Sequence, residues 1–272
     1  MNLSWYNLIR INILEDIFSK RYSVMEERNV LAFMIGDSDN PSSIVTSLTA
    51  LRENIRTTRE VIPSDAWEMT NELNIYLQEH MRSGVNRRSR HQFLEHLIHS
   101  CQQIIGLYYC NMSRDVAWRF VELGMYLERA DMTSRNLDAG LAAALEISDD
   151  DQMVNSRQII WGNVLRSLNA MESYRRTLRS SVSEADAMDF LLHNAEFPRA
   201  IAFCVAQLTD AADALPHSAD VVKQLRTIQQ QPLLASEEDS LGDPQRDQLN
   251  QLQIQLAQTH NVIADSWFPA LA

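Results

Sequence analysis

Glycine and proline are scarce in this chain, seven of each among 272 residues. A protein of many short strands needs more of both, because tight turns draw on the positive φ of one and the fixed φ of the other. The shortage points to helices. Cysteine is scarcer still. Cys101, Cys110 and Cys204 form no CxxC pair and are odd in number, so neither a disulfide framework nor a cysteine-rich zinc site is expected. No run of 18 apolar residues occurs, and Arg10, Glu15 and Asp16 break up the N-terminal stretch, so neither a membrane span nor a secretory leader is read from it. A reducing cytoplasm is the expected setting. Positive charge is short as well: 24 Lys and Arg against 36 Asp and Glu leave a formal charge of -12. Binding a phosphate backbone needs a net cationic face that releases counterions, so nucleic acid is not an expected partner.

The common chemical fingerprints are missing too. There is no GxSxG elbow, no GxxxxGK loop, no GxGxxG and no HExxH, and no Glu has a His three residues on, as carboxylate-bridged di-iron bundles require. His91, Glu95 and His99 follow one another at i, i+4 and i+8, a spacing that can line metal-ligand types along one helix edge. A solvated edge is the plainer reading, and no metal or cofactor is expected.

What is present is helical periodicity from end to end. Residues 3–18 and 24–35 read as two short helices, the second ending at Gly36 as a left-handed cap. Asn40-Pro41 then offers an N-cap and a fixed-φ first position, followed by Ile44, Leu48, Leu51 and Ile55 in a helix expected to reach about residue 61. Ser64 opens a helix through Trp67, Leu73, Tyr76 and Leu77 that ends near Gly84, and Arg82, Arg87, Arg88 and Arg90 surround a loop for which solvation is the plainer reading and docking of an acidic partner the other. An apolar stripe runs from Leu94 to Tyr108. Ser113 caps a long helix over about 114–145 with Asp115 in its first turn, and residues 148–151 form an acidic loop. Further helices hold Trp161 and Leu165, Phe190 and Leu192, Ile201 and Leu208, and Val221 to Ile228; residues 231–244 read as a mobile acidic loop, and Leu249, Leu252, Leu256 and Ile263 mark a last helix. The fold class is all-α, a multi-helix bundle with one long central helix in a single domain over 1–272.

Two groups of charges stand at the edges of apolar stripes. On the long helix Gly124, Glu128, Asp131 and Arg135 lie beside the stripe Phe120, Leu123, Leu127, Ala130, Ser134, Leu137 and Leu141, and Gly124 would let a helix or ligand approach Glu128. On the Ile44 helix Arg52, Arg56 and Arg59 flank the core positions. In one reading these arginines pair with Glu128 and Asp131 across a helix interface. In the other they rim a cleft that recognises a carboxylate or phosphate, with Glu128 orienting them or acting as a general base.

Several segments, taken in order, resemble the bacterial alpha-E family of helical proteins, named for a glutamate in a Glu-Arg motif. They are Asn40-Pro41-Ser42-Ser43-Ile44; Arg52-Glu53-Asn54 with Arg56, Arg59 and Glu60; Trp67 and Asn71; Ser113-Arg114-Asp115; Leu123-Gly124; Leu127-Glu128-Arg129-Ala130-Asp131 with Arg135; and Phe197-Pro198-Arg199. The resemblance implies a cytoplasmic all-α protein encoded beside, or fused to, ATP-grasp peptide ligases, transglutaminase-like proteases or related amide-bond enzymes. It makes Glu128 the catalytic candidate. The candidates for holding a ligand or partner are Arg52, Asn54, Arg56, Arg59, Arg114, Arg129, Asp131, Arg135 and Arg199. The chain departs from the family in two places. Members open with a further Glu-Arg helix, whereas this chain begins at Met1-Asn2-Leu3, and Met125 stands where the family commonly has Arg. An accessory or interaction role is expected first, and an enzyme of peptide or amide-bond metabolism using a Glu/Arg cleft second.

Overall fold

The computed structural model describes residues 5–147, 153–231 and 242–268. Among these residues there are thirteen α-helices and no strand, as the low glycine and proline content implies. The chain divides into two compact units, Met1–Arg114 and Asp115–Ala272. Among the described residues no helix is long and apolar enough to cross a membrane.

The first unit holds α1 (Trp5–Ile11), α2 (Glu15–Arg21), α3 (Glu27–Gly36), α4 (Ile44–Thr57), α5 (Asp65–Val85) and α6 (Arg90–Asn111). α5 is its centre and packs on α3, α4 and α6. Leu31, Ile35, Leu48, Leu73, Leu77, Phe93, Leu97 and Ile104 form the core, and Ile9, Leu14, Phe18, Val30 and Phe33 form a smaller one under α1 to α3. A Cβ at Gly84 would come within 2.7 Å of Phe93 and 2.8 Å of Ile35, so glycine lets these side chains close on the end of α5.

Several expected boundaries shift. The helix expected over 3–18 is broken between α1 and α2 at Ile13, which has a φ of 55° and is 66% exposed; Leu3 lies outside the described residues. Gly36 does not adopt a left-handed cap, since it ends α3 in helical conformation, and a Cβ there would press on the Met81 thioether. Asn40 is not the cap of α4. Its side chain is buried, donating to the Phe33 carbonyl at 3.0 Å and accepting from the Ser42 amide at 2.9 Å, and Ser43 caps instead by accepting from the Thr46 amide at 3.1 Å. α4 ends at Thr57, short of residue 61.

The second unit holds α7 (Val116–Leu145), α8 (Met153–Ser167), α9 (Met171–Leu178), α10 (Glu184–His193), α11 (Ile201–Asp213), α12 (Ala219–Gln230) and α13 (Asp243–Trp267). The 30 residues of α7, rich in Ala, Leu, Met, Glu and Arg, extend for about 45 Å. α11 and α13 pack along it and α8 crosses at Gly140, where a Cβ would meet Val164 at 2.9 Å. Being covered on several sides, α7 buries Tyr126 and Thr133 as well as the expected Leu123, Ala130, Ser134, Leu137 and Leu141, while Phe120 and Leu127 are only partly buried. Gly242 and Pro244, expected within a loop, instead begin α13, where the Gly242 amide donates to Gln245 Oε1 at 2.7 Å. The acidic stretch 148–151 and residues 232–241 of the other expected loop lie outside the described residues.

Asp115, not Ser113, caps α7, its Oδ1 accepting from the amides of Ala117 at 3.0 Å and Trp118 at 3.3 Å. Asp115→Ala should therefore lower stability by about 1 kcal/mol in urea denaturation, the usual effect of losing a side-chain cap, and Ser113→Ala by less than about 0.5 kcal/mol. A larger loss at Ser113 would contradict the assignment.

Candidate functional site

In the first unit the residues that carry the family resemblance converge where α4 meets α5. Arg52 Nε donates to Asn71 Oδ1 at 2.7 Å, and the Arg52 guanidinium carbon lies 5.1 Å from the centre of the Trp67 ring. Arg59, just beyond α4, brings its guanidinium carbon to 3.7 Å from the same ring. Two cations thus share one indole, whose electron-rich face attracts both, and neither has a carboxylate at ion-pair distance among the described residues of the unit. Arg56 is different. It grips Glu53 through two bonds of 2.6 and 2.8 Å, which lowers the Glu53 pKa, but both side chains are exposed and the pair adds little to stability. Asn54 uses its backbone carbonyl to accept from the hydroxyls of Thr57 and Thr58 at the end of α4. Arg114 closes the end of α6, donating to the carbonyls of Tyr109 at 2.7 Å and Met112 at 3.3 Å.

In the second unit the Glu-Arg motif sits in mid-α7, and a turn of 100° per residue sends its two charges different ways. Glu128 and Asp131 lie on one side with Arg135. Asp131 is taken by Arg135 at 2.7 Å, with side chains 22% and 19% exposed. Glu128 is exposed and has no basic partner at ion-pair distance among the described residues of the unit. Surrounding protein still desolvates its carboxyl enough to raise its pKa; Asp131 raises it further and Arg135 opposes. A Cβ at Gly124 would meet nothing within 4 Å among the described residues, so no described helix of the unit occupies the approach expected there.

Arg129 points another way, its guanidinium carbon 5.4 Å from the centre of the Tyr126 ring. Beside it runs the segment that leads into α11. Thr133, one turn after Arg129, donates its hydroxyl to the Arg199 carbonyl at 2.8 Å; the Cys204 thiol donates to the Pro198 carbonyl at 3.5 Å; and the Tyr126 and Phe203 rings meet edge to face at 5.9 Å. Arg199 is thereby held near Arg129. Burial first, and then the positive charge of Arg129, lower its pKa. Burial pushes the Cys204 thiol up to about 12 against the opposing pull of both arginines, so it is neutral near pH 7 and is no nucleophile. Sequence reading named Arg129 and Arg199 separately but missed Thr133, Phe203 and Cys204. The hydroxyl at i+4 from the motif arginine was the one available signal.

Other chemistry is sparse. His91, Glu95 and His99 are exposed along α6, and no group of three metal-ligand side chains occurs among the described residues. Glu184, at the start of α10, also has a raised pKa, mainly through burial, with Arg157 at 3.5 Å opposing. A raised carboxyl pKa is thus not peculiar to the motif glutamate.

Comparison with known proteins gives one family: a model of a predicted alpha-helical domain with a conserved ER motif matches residues 2–268. No curated protein matches the chain. No solved structure matches it either.

For Glu128 the sign of linkage is definite. Because its folded-state pKa is raised, the proton is held more tightly in the folded protein, and the associated stability is present below the ordinary value of 4.5 and lost as pH rises through the folded value. Glu128→Gln should leave stability unchanged or higher at pH 7, and the difference should disappear below about pH 4. A clear loss at pH 7 in thermal melts would instead mean that the carboxylate is held by a cation.

Proposed function

The chain belongs to the Alpha-E family, and on that premise we propose that it is a helical binding module. In this reading it works in the cytoplasm as an accessory to an amide-bond-forming or amide-bond-cleaving enzyme, holding a ligand or partner without performing the reaction itself. The observation that carries the reading is the state of its arginines. In a protein with twelve more acidic than basic side chains, Arg52, Arg59, Arg129 and Arg199 stand at motif positions without a carboxylate partner among the described residues of their own units. Guanidinium groups without a carboxylate, three of them against aromatic rings, can take an oxyanion or an acidic partner surface, because planar forks match carboxylate and phosphate geometry. The ATP-grasp ligase or transglutaminase-like partner follows from the family resemblance alone. Three free cysteines suit a reducing compartment.

A second reading has one observation in its favour. The raised pKa of Glu128 would suit a general base acting on a substrate anchored by arginines. Against it stands Glu184, whose pKa burial also raises, so the shift does not single out Glu128.

Co-expression with an ATP-grasp ligase from the same genome tests the first reading. Wild-type protein should elute with the ligase in size-exclusion chromatography, and the Arg52→Ala, Arg59→Ala double variant should weaken the complex at least about tenfold, as loss of two charged anchors does. Separate elution, with the ligase fully active alone, contradicts it. Loss of product with Glu128→Gln in an intact complex would favour the second reading.

A further inference from the structure

We infer that Arg129 and Arg199 together form a receptor for a carboxylate, built where the segment before α11 crosses α7. The inference rests on the reading of the chain as a binding module and names the ligand class of one of its sites.

Two like charges do not approach one another unaided. Here the fold sets their spacing through neutral contacts: the Thr133 hydroxyl on the Arg199 carbonyl at 2.8 Å, the Cys204 thiol on the Pro198 carbonyl at 3.5 Å, and the Tyr126 and Phe203 rings at 5.9 Å. Ala200 and Ile201, which follow Arg199, are almost wholly buried and anchor the segment from the other side. Among the described residues of the unit neither guanidinium has a hydrogen-bond acceptor or a carboxylate at ion-pair distance, although Asp131 stands two residues from Arg129 and is occupied by Arg135. The charge of Arg129 disfavours that of Arg199, and an anion between the two forks would relieve this repulsion.

The surroundings favour an anion of small charge and two oxygens. Tyr126 is 5% exposed and Phe203 packs on it, so one wall is apolar and charge-assisted hydrogen bonds gain strength beside it. Ala200, the residue before α11, has no side chain to accept from the first-turn amides, and no acidic residue stands in that turn, so the helix adds positive potential of the same sign. Two guanidinium forks match the two oxygens of a carboxylate. The Thr133 hydroxyl and Cys204 thiol are committed to backbone carbonyls and so do not serve the extra oxygen of a phosphate.

The test uses the full chain, melted at constant ionic strength in chloride, with three probes: N-acetyl-diglycine as the free acid, the same compound as its amide, and inorganic phosphate. Near saturation the free acid should raise the midpoint by about 2–4 °C, while the amide leaves it unchanged and phosphate acts more weakly. Arg129→Gln and Arg199→Gln should each require at least about tenfold more free acid for the same shift, as expected when one charged hydrogen-bonding partner is lost. Arg199→Lys, which keeps the charge but not the fork, should also weaken the response. Arg226→Gln, on the exposed face of α12, should behave as wild type. Equal effects of acid and amide, a shift that survives both glutamine variants, or a stronger response to phosphate would each overturn the inference. A failed carboxylate response with the ligase complex intact removes this site but not the accessory reading, and the reverse outcome removes the accessory reading but not the site.

Discussion

The packing of α11 against α7 is the contact on which the second unit depends. Ala130, Thr133 and Ser134 on α7, and Ala200, Cys204, Ala211 and Ala212 at and along α11, are buried and short, so the two helices can approach closely without leaving voids. Thr133 then reaches the chain before α11 with a single hydroxyl, and Tyr126 reaches Phe203. Arg129 and Arg199 are consequences of this arrangement. Their side chains are carried to the edge of an apolar contact whose free energy comes from burial, not from charge, which is why the fold tolerates two cations together.

The first unit repeats the logic with different chemistry. The contact of α4 with α5 is made by apolar residues such as Leu48, Leu73 and Leu77, and the arginines ride on its rim. There Trp67 supplies an indole in place of a carboxylate, and Asn71 fixes the direction of Arg52 with one bond. Where this chain does neutralise arginines it does so with carboxylates at ordinary distances: Arg56 with Glu53, Arg135 with Asp131, and Arg246 with Asp138 at 2.9 Å. With 36 acidic side chains available, the arginines left over are the chemically informative ones.

Much of the helical content was legible because apolar side chains recur at helical spacing and because so few residues could interrupt them. Helix starts were read less well. Ser113 and Asn40 are good caps by residue type, yet Asp115 and Ser43 do the capping, because the first turn must begin where the apolar face of the helix meets its neighbours, and Asn40 is instead spent on bonds to the end of α3 and to Ser42. Gly36 resembles a conformational signal in the sequence, but its role is packing, set by Met81 on another helix. The motif residues could be named from the sequence, but their partners could not. Thr133 and Arg199 are 66 residues apart, and no local pattern joins them. Nor does periodicity say that Glu128 and Arg129, adjacent in the chain, serve different surroundings, since that depends on which side of α7 each neighbouring helix covers.

The central claim is that packing holds Arg129 and Arg199 together against their own repulsion. A double-mutant cycle on folding stability, with Arg129→Gln, Arg199→Gln and the pair measured in low-salt buffer free of carboxylates, tests it most directly. The account predicts unfavourable coupling: the two single variants each remove the same repulsion, so the double variant gains less than their sum, and the discrepancy shrinks as salt is raised. Strict additivity at low salt, or a coupling of opposite sign, would contradict it.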